Sequence, residues 1–242
     1  MIKIVYAYGD LLGLYGEYAN VKALQQRLES AGETVEVETV HVGDNFRLTG
    51  AQLFYVGAGT EGKMLAALED INEKKSELLA YLENGGLALA TGNALAMFGG
   101  TVVDADGASA KGLGFGDFGV RIDDKRRYGE FIARCDLVRE KVVGSINTSL
   151  TVVSREKPMF DIEFASAPIL QGATEGIVKN NFYGTELSGP LLVRNPALLD
   201  VFAEKVAGRA LPRCTDGWYE FAWDGYRSVL ETLDKASKRK KR

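Results

Sequence analysis

The stretch Leu89-Ala90-Thr91-Gly92-Asn93-Ala94-Leu95-Ala96-Met97-Phe98-Gly99 runs from apolar residues through a Thr-Gly-Asn turn into helix-forming residues. A strand, a tight turn and a helix in that order is the setting in which an α/β sheet presents a Ser or Cys nucleophile at the carboxyl end of a strand. The turn holds Thr91, Gly92 and Asn93 but no thiol.

Outward from this segment the same alternation recurs. Residues 2–8 are β-rich and apolar, and residues 18–30 carry Val21, Leu24, Gln25 and Leu28 at helical spacing before Ala31-Gly32 closes the helix. Residues 34–40 alternate polar with apolar, which predicts a strand with one covered face. Residues 53–56 are apolar throughout, a buried strand, and end in Gly57-Ala58-Gly59. Helices are expected over 63–70 and 73–84, the second with Leu78, Leu79 and Leu82 on one face and Gly85-Gly86 beyond it. The expected fold is α/β and three-layered, a mostly parallel central sheet with helices on both faces. Its ligand crevice would lie at the strand carboxyl ends, where residues 57–61 and 91–93 fall. From Gly112 onward, short strands over 115–122, 128–135, 142–143 and 150–153 read as antiparallel additions to that sheet. Helices over 191–207 and 218–236 complete the chain.

A length of 242 residues with 46% hydrophobic and 26% charged residues fits one folded domain, placed at 1–234. Residues 235–242 form a basic tail, expected to be solvated and frayed. The formal charge of −4 gives no broad attraction to nucleic acid, and no apolar run is long enough to enter a bilayer as a span. The opening residues are too strand-like for a signal peptide, so a cytoplasmic location is expected. Cys135 and Cys214 have no CxxC or His companions and read as reduced structural thiols. Neither a metal site nor a cofactor is expected. His41, the one histidine, follows the second strand and is remote in sequence from the turn at 91–93; it reads as a structural residue.

Three further segments carry a resemblance. Tyr8-Gly9-Asp10-Leu11-Leu12 is followed by Glu17 and Asn20 before the first helix; Val56-Gly57-Ala58-Gly59 is a glycine-rich loop after a strand; Gly184-Thr185-Glu186-Leu187-Ser188-Gly189-Pro190-Leu191-Leu192 leads into Asn195-Pro196. With the 89–99 segment they make the chain similar to class I glutamine amidotransferases of the cobyric acid synthase type, which have a flavodoxin-like sheet. Within that family it looks most like the glutaminase subunits of lipid II isoglutaminyl synthases, which supply ammonia for amidation of this peptidoglycan precursor. The resemblance covers nearly the whole chain, and the 184–196 motif is its most specific part.

The resemblance implies a Cys thiolate in the elbow, a His as proton shuttle and backbone N–H groups that hold the oxyanion. Aligning the elbow on Gly99 puts Gly92 at the Cys position, and Thr91, one residue before it, is the other candidate for that place. The base position holds Ser188, and Gly144-Ser145-Ile146-Asn147-Thr148-Ser149-Leu150 lacks the Glu and His of the family's corresponding segment. The expectation is a catalytically degenerate glutaminase-like subunit, a scaffold or regulator for a Mur-ligase-like partner. Two alternatives stand beside it: an active amidohydrolase using Thr91, Ser188 or Asp10, and a sensor of glutamine or a related small molecule. Gly57, Ala58, Gly59 and Asn93 are the expected ligand-binding positions, together with Arg127, whose Arg-Tyr-Gly context resembles the segment that contacts the glutamine α-carboxylate. Asp10 and Glu17 read as helix-entry acids.

Overall fold

The computed structural model describes residues 1–167 and 173–240. Its first sheet is built by β1 (Ile2–Ala7), β2 (Val35–Val40), β3 (Leu53–Val56), β4 (Ala88–Thr91), β11 (Ile177–Lys179) and β12 (Phe182–Thr185) in the order β11-β12-β4-β3-β1-β2. All pairings are parallel except β11 with β12, a single antiparallel addition at the edge.

Side chains alternate across these strands and feed two separate cores. Val5, Phe54 and Ala88 face α2 (Glu61–Glu73) and α3 (Lys75–Glu83) through Met64, Leu68, Ile71, Leu78 and Leu82. Ile4, Tyr55 and Leu89 face α1 (Tyr18–Glu29) and α5 (Pro196–Ala207) through Leu24, Leu28, Leu199 and Phe202. The three-layer α/β fold is thus the one expected. Thr60 begins α2 as its N-cap, accepting a hydrogen bond from the Lys63 amide, and Gly208 ends α5 in the left-handed conformation.

The later strands do not extend the first sheet but build a second. Here β5 (Thr101–Val103), β6 (Ser109–Lys111), β7 (Phe118–Arg134), β9 (Phe160–Ala165) and β10 (Thr174–Glu175) run in the order β10-β9-β7-β5-β6, with β8 (Val142–Ser154) paired to β7. Two expected pairs of short strands are single long ones. β7 passes through the charged 123–126 run by a bulge between Ile122 and Arg127, and β8 continues through 144–149 because Ile146, Thr148 and Ser149 are buried. One face of this sheet enters the second core through Phe131, Ala133 and Ile146. The other face, Ile132, Val143 and Phe164, is covered by Tyr226 and Leu233 of α6 (Gly217–Lys240).

Three boundaries differ from expectation. The helix after the elbow is 3-10 over Gly92–Phe98. The 191–207 helix divides into α4 (Leu191–Arg194) and α5 at Asn195, because Pro196 lacks an amide hydrogen and disfavours helical backbone before it. α6 continues through most of the basic segment expected to fray, whose residues 241–242 lie outside the described residues.

Candidate active site

β3 and β4 end side by side, and the loops beyond them meet those that follow β1 and β12. Ala58, Gly59, Glu61, Asn93 and Ser188 line one cleft with Tyr15, Arg126 and Asn147–Ser149. Ala58 and Gly59 of the glycine loop, Asn93 of the turn and Ser188 of the base-position loop therefore share one cleft, which Gly57 and Thr91 do not line.

The glycines of the loop answer a packing need first. A β-carbon at position 57 would lie 2.6 Å from the Leu12 carbonyl oxygen, and one at 59 would lie 2.6 Å from Leu12 Cδ2. Gly92 has a φ of +61°, a left-handed backbone that glycine adopts without strain, and so makes the sharp turn between β4 and the helix that follows. Asn93 turns its carboxamide back onto the loop: the Gly59 amide donates to Asn93 Oδ1 at 2.9 Å, and Asn93 Nδ2 donates to the Gly59 carbonyl at 2.9 Å.

Thr91 points the other way, into the protein. It is fully buried, and its hydroxyl donates to Glu17 Oε2 at 2.5 Å and lies 2.9 Å from the Tyr55 hydroxyl. Glu17 is the hub of this network rather than a simple helix-entry acid. Its Oε2 also accepts from Tyr55 at 2.7 Å and Asn20 Nδ2 at 3.3 Å, while Oε1 accepts from the Gly189 amide at 2.9 Å. Burial pushes the Glu17 carboxyl up to about 7, against the opposing effect of the donors Thr91, Tyr55, Gly189 and Asn20. Asn20 in turn accepts from the Leu192 amide, so this network ties the elbow strand to the start of α1 and to the loop that carries Ser188.

Ser188 is held against β8. Its amide donates to the Ser145 carbonyl at 2.9 Å and its Oγ accepts from the Asn147 amide at 3.2 Å. Across the cleft, Arg126 donates to Glu61 Oε1 at 2.7 Å and to Asn147 Oδ1 at 3.0 Å, and Asn147 donates to the Tyr15 hydroxyl at 2.9 Å. Burial works against charge on Glu61, but Ser149, its own backbone amide and Arg126 hold its carboxyl below the usual range. Tyr15 carries a strained φ of +61°. These side chains leave about 10 Å³ in the cleft, room for one water molecule.

Arg127 is not brought to this cleft, and its neighbour Arg126 is. At the end of the bulge Arg127 faces Glu186 at 3.7 Å and borders a second cavity of about 270 Å³ with Thr151 and Glu175. Burial pushes Glu186 up to about 7, opposed by Arg127 and Thr148, and pushes Glu175 up to about 8, reinforced by Glu186. His41 pairs with Asp10 at 3.1 Å, with both side chains about half exposed and neither lining the cleft. Cys135 and Cys214 are buried and free, and they too lie outside it. Among the described residues no cluster of three or more His, Cys, Asp or Glu is arranged to hold a metal ion, and no helix is long and apolar enough to cross a membrane.

Glu17, Asn20, Tyr55, Glu61, Arg126 and Asn147 are the site residues that the sequence did not single out for this role. Glu17 and Asn20 carried a signal, since both stand in the segment that follows β1 in the resemblance. Arg126 carried a weaker one as the first of an Arg pair.

Residues 3–196 match the domain family described as CobB/CobQ-like glutamine amidotransferase. The chain is 26% identical over 200 residues to the lipid II isoglutaminyl synthase (glutamine-hydrolyzing) subunit GatD of Streptococcus pneumoniae, covering 81% of this chain and 77% of the relative. It is 24% identical over 208 residues to the GatD subunit of Staphylococcus aureus, covering 86% of this chain and 85% of the relative. In fold it is similar to a glutamine amidotransferase crystal structure from Thermotoga maritima, with a TM-score of 0.53 and 11% identity over 98% of this chain and 92% of that one.

Proposed function

Because this chain belongs to the CobB/CobQ-like glutamine amidotransferase domain family, we propose that it is a non-hydrolysing member, a degenerate glutaminase-type subunit serving as scaffold or regulator for a Mur-ligase-like partner in lipid II amidation. The lipid II link comes from the two GatD relatives, which are named as glutamine-hydrolyzing subunits of that synthase.

One observation carries the loss of hydrolysis: the left-handed elbow position is Gly92, which has no side chain to attack with. Ser188 in the base position adds to it, since a serine hydroxyl neither takes a proton from a nucleophile nor returns one to a leaving amine near neutral pH. Removing a single member of such a unit costs orders of magnitude in rate.

Thr91 with Glu17 as its base is the one arrangement that favours an altered nucleophile. The hydroxyl and carboxylate are in hydrogen-bond contact, yet Thr91 is fully buried and does not line the cleft, so no substrate carbonyl reaches it. A sensor of glutamine would need the cleft to widen beyond its present volume.

The test is ammonia release from glutamine by the purified chain, alone and with a co-expressed Mur-ligase-like protein. No release, together with a stable complex in size-exclusion chromatography, is expected. Sustained release that Thr91→Val abolishes would overturn the reading.

A further inference from the structure

A glutamine carboxamide presents one acceptor oxygen and an NH2 donor, and Asn93 presents the same group on a shorter stem. In this cleft the Asn93 carboxamide is paired in both directions with Gly59, accepting from its amide and donating to its carbonyl, each at 2.9 Å. Gly59 is the last residue of the loop whose N–H groups would receive the carbonyl oxygen of a bound amide. We infer that Asn93 is the specificity-determining residue of this site, a built-in carboxamide that occupies the amide-recognition position and excludes a free one. This rests on the reading of the cleft as a glutaminase-type site.

Competition explains why a free ligand loses. Asn93 follows Gly92 directly and sits on the first turn of the Gly92–Phe98 helix, so its carboxamide is presented at fixed distance and at high effective concentration. The apparent affinity of any external carboxamide falls by the fraction of time that Asn93 is swung away. The remaining volume of about 10 Å³ leaves no second place for such a group beside it. Removing the side chain at 93 therefore frees both a donor and the space in front of it.

The experiment is an NMR titration of the 15N-labelled chain with L-glutamine, reading the Gly59 amide in wild type, Asn93→Ala and Asn93→Ser. In wild type the Gly59 amide should be protected from hydrogen exchange and should shift only at glutamine concentrations well above those that saturate the variants. In both variants protection should fall, and glutamine should shift the Gly59 resonance with an apparent affinity on the order of 10- to 100-fold tighter, as expected for one or two neutral hydrogen bonds. An unprotected Gly59 amide in wild type, wild-type binding as tight as the variants', or variants that release Gly59 yet ignore glutamine would each overturn the inference. Ammonia measured on the same samples separates the two readings: release by wild type sinks the non-hydrolysing reading, whereas Gly59 alone decides the role of Asn93.

Discussion

A β-carbon at position 92 would lie 2.4 Å from the methyl of Ala58. Gly92 and Ala58 sit on different loops, one after β4 and one after β3. The bare hydrogen at 92 and the methyl at 58 are complementary in size. Close packing leaves no void at such a junction, so the space that a side chain at 92 would need is already taken by Ala58.

Placing a thiol at 92 should therefore cost stability. Gly92→Cys combines a left-handed backbone with a hard contact to Ala58, and the expected loss is ~1–3 kcal/mol by chemical denaturation. Ala58→Gly relieves the contact, so the double variant should lose less than the sum of the two single ones. Simple additivity in that cycle would show that the two positions do not share space.

The buried carboxyls make stability depend on pH in the direction opposite to ordinary acid denaturation. Glu17 and Glu186 are raised to about 7 and Glu175 to about 8, from 4.5. A raised carboxyl binds its proton more tightly in the folded chain, so its contribution is fully present below pH ~4.5 and is lost as pH climbs through the folded value. Melting temperature should fall between about pH 5 and pH 8. Glu17→Gln keeps the shape and the acceptor for Gly189 and should remove part of that slope; an unchanged slope would mean that Glu17 is not protonated on folding.

Much of the first sheet was legible because β1, β3 and β4 are short, largely apolar runs ended by turns or loops, a local signal. Glu17 was not, because an acid before a helix looks the same whether it caps the helix or is buried. What decides its role is contact with Tyr55 and Thr91, which only the sheet brings near it. Arg126 and Arg127 show a related difficulty. The motif identified an Arg in this stretch, but adjacent strand positions differ in facing and the bulge resets the alternation, so sequence could not say which one reaches the cleft. The second sheet was hidden for the same reason: strand composition predicts pairing without saying to which sheet a strand belongs.

The boundary at residue 234 can be argued from α6 itself. Tyr226 and Leu233 are buried on Ile132, Val143 and Phe164, and the Tyr226 hydroxyl donates to the Lys141 carbonyl at 2.7 Å. No described side chain beyond Leu233 is buried, and the pair of Lys235 with Glu231 is largely exposed and of little energetic weight. Deleting residues 235–242 should leave the melting transition in place. Deleting 217–242 uncovers one face of the second sheet, and at ~1.5–3 kcal/mol for each large apolar side chain returned to water that loss rivals the stability of a whole domain. The longer deletion should give an aggregated or molten chain by light scattering and near-UV circular dichroism. If the shorter deletion did the same, the basic end would belong to the fold.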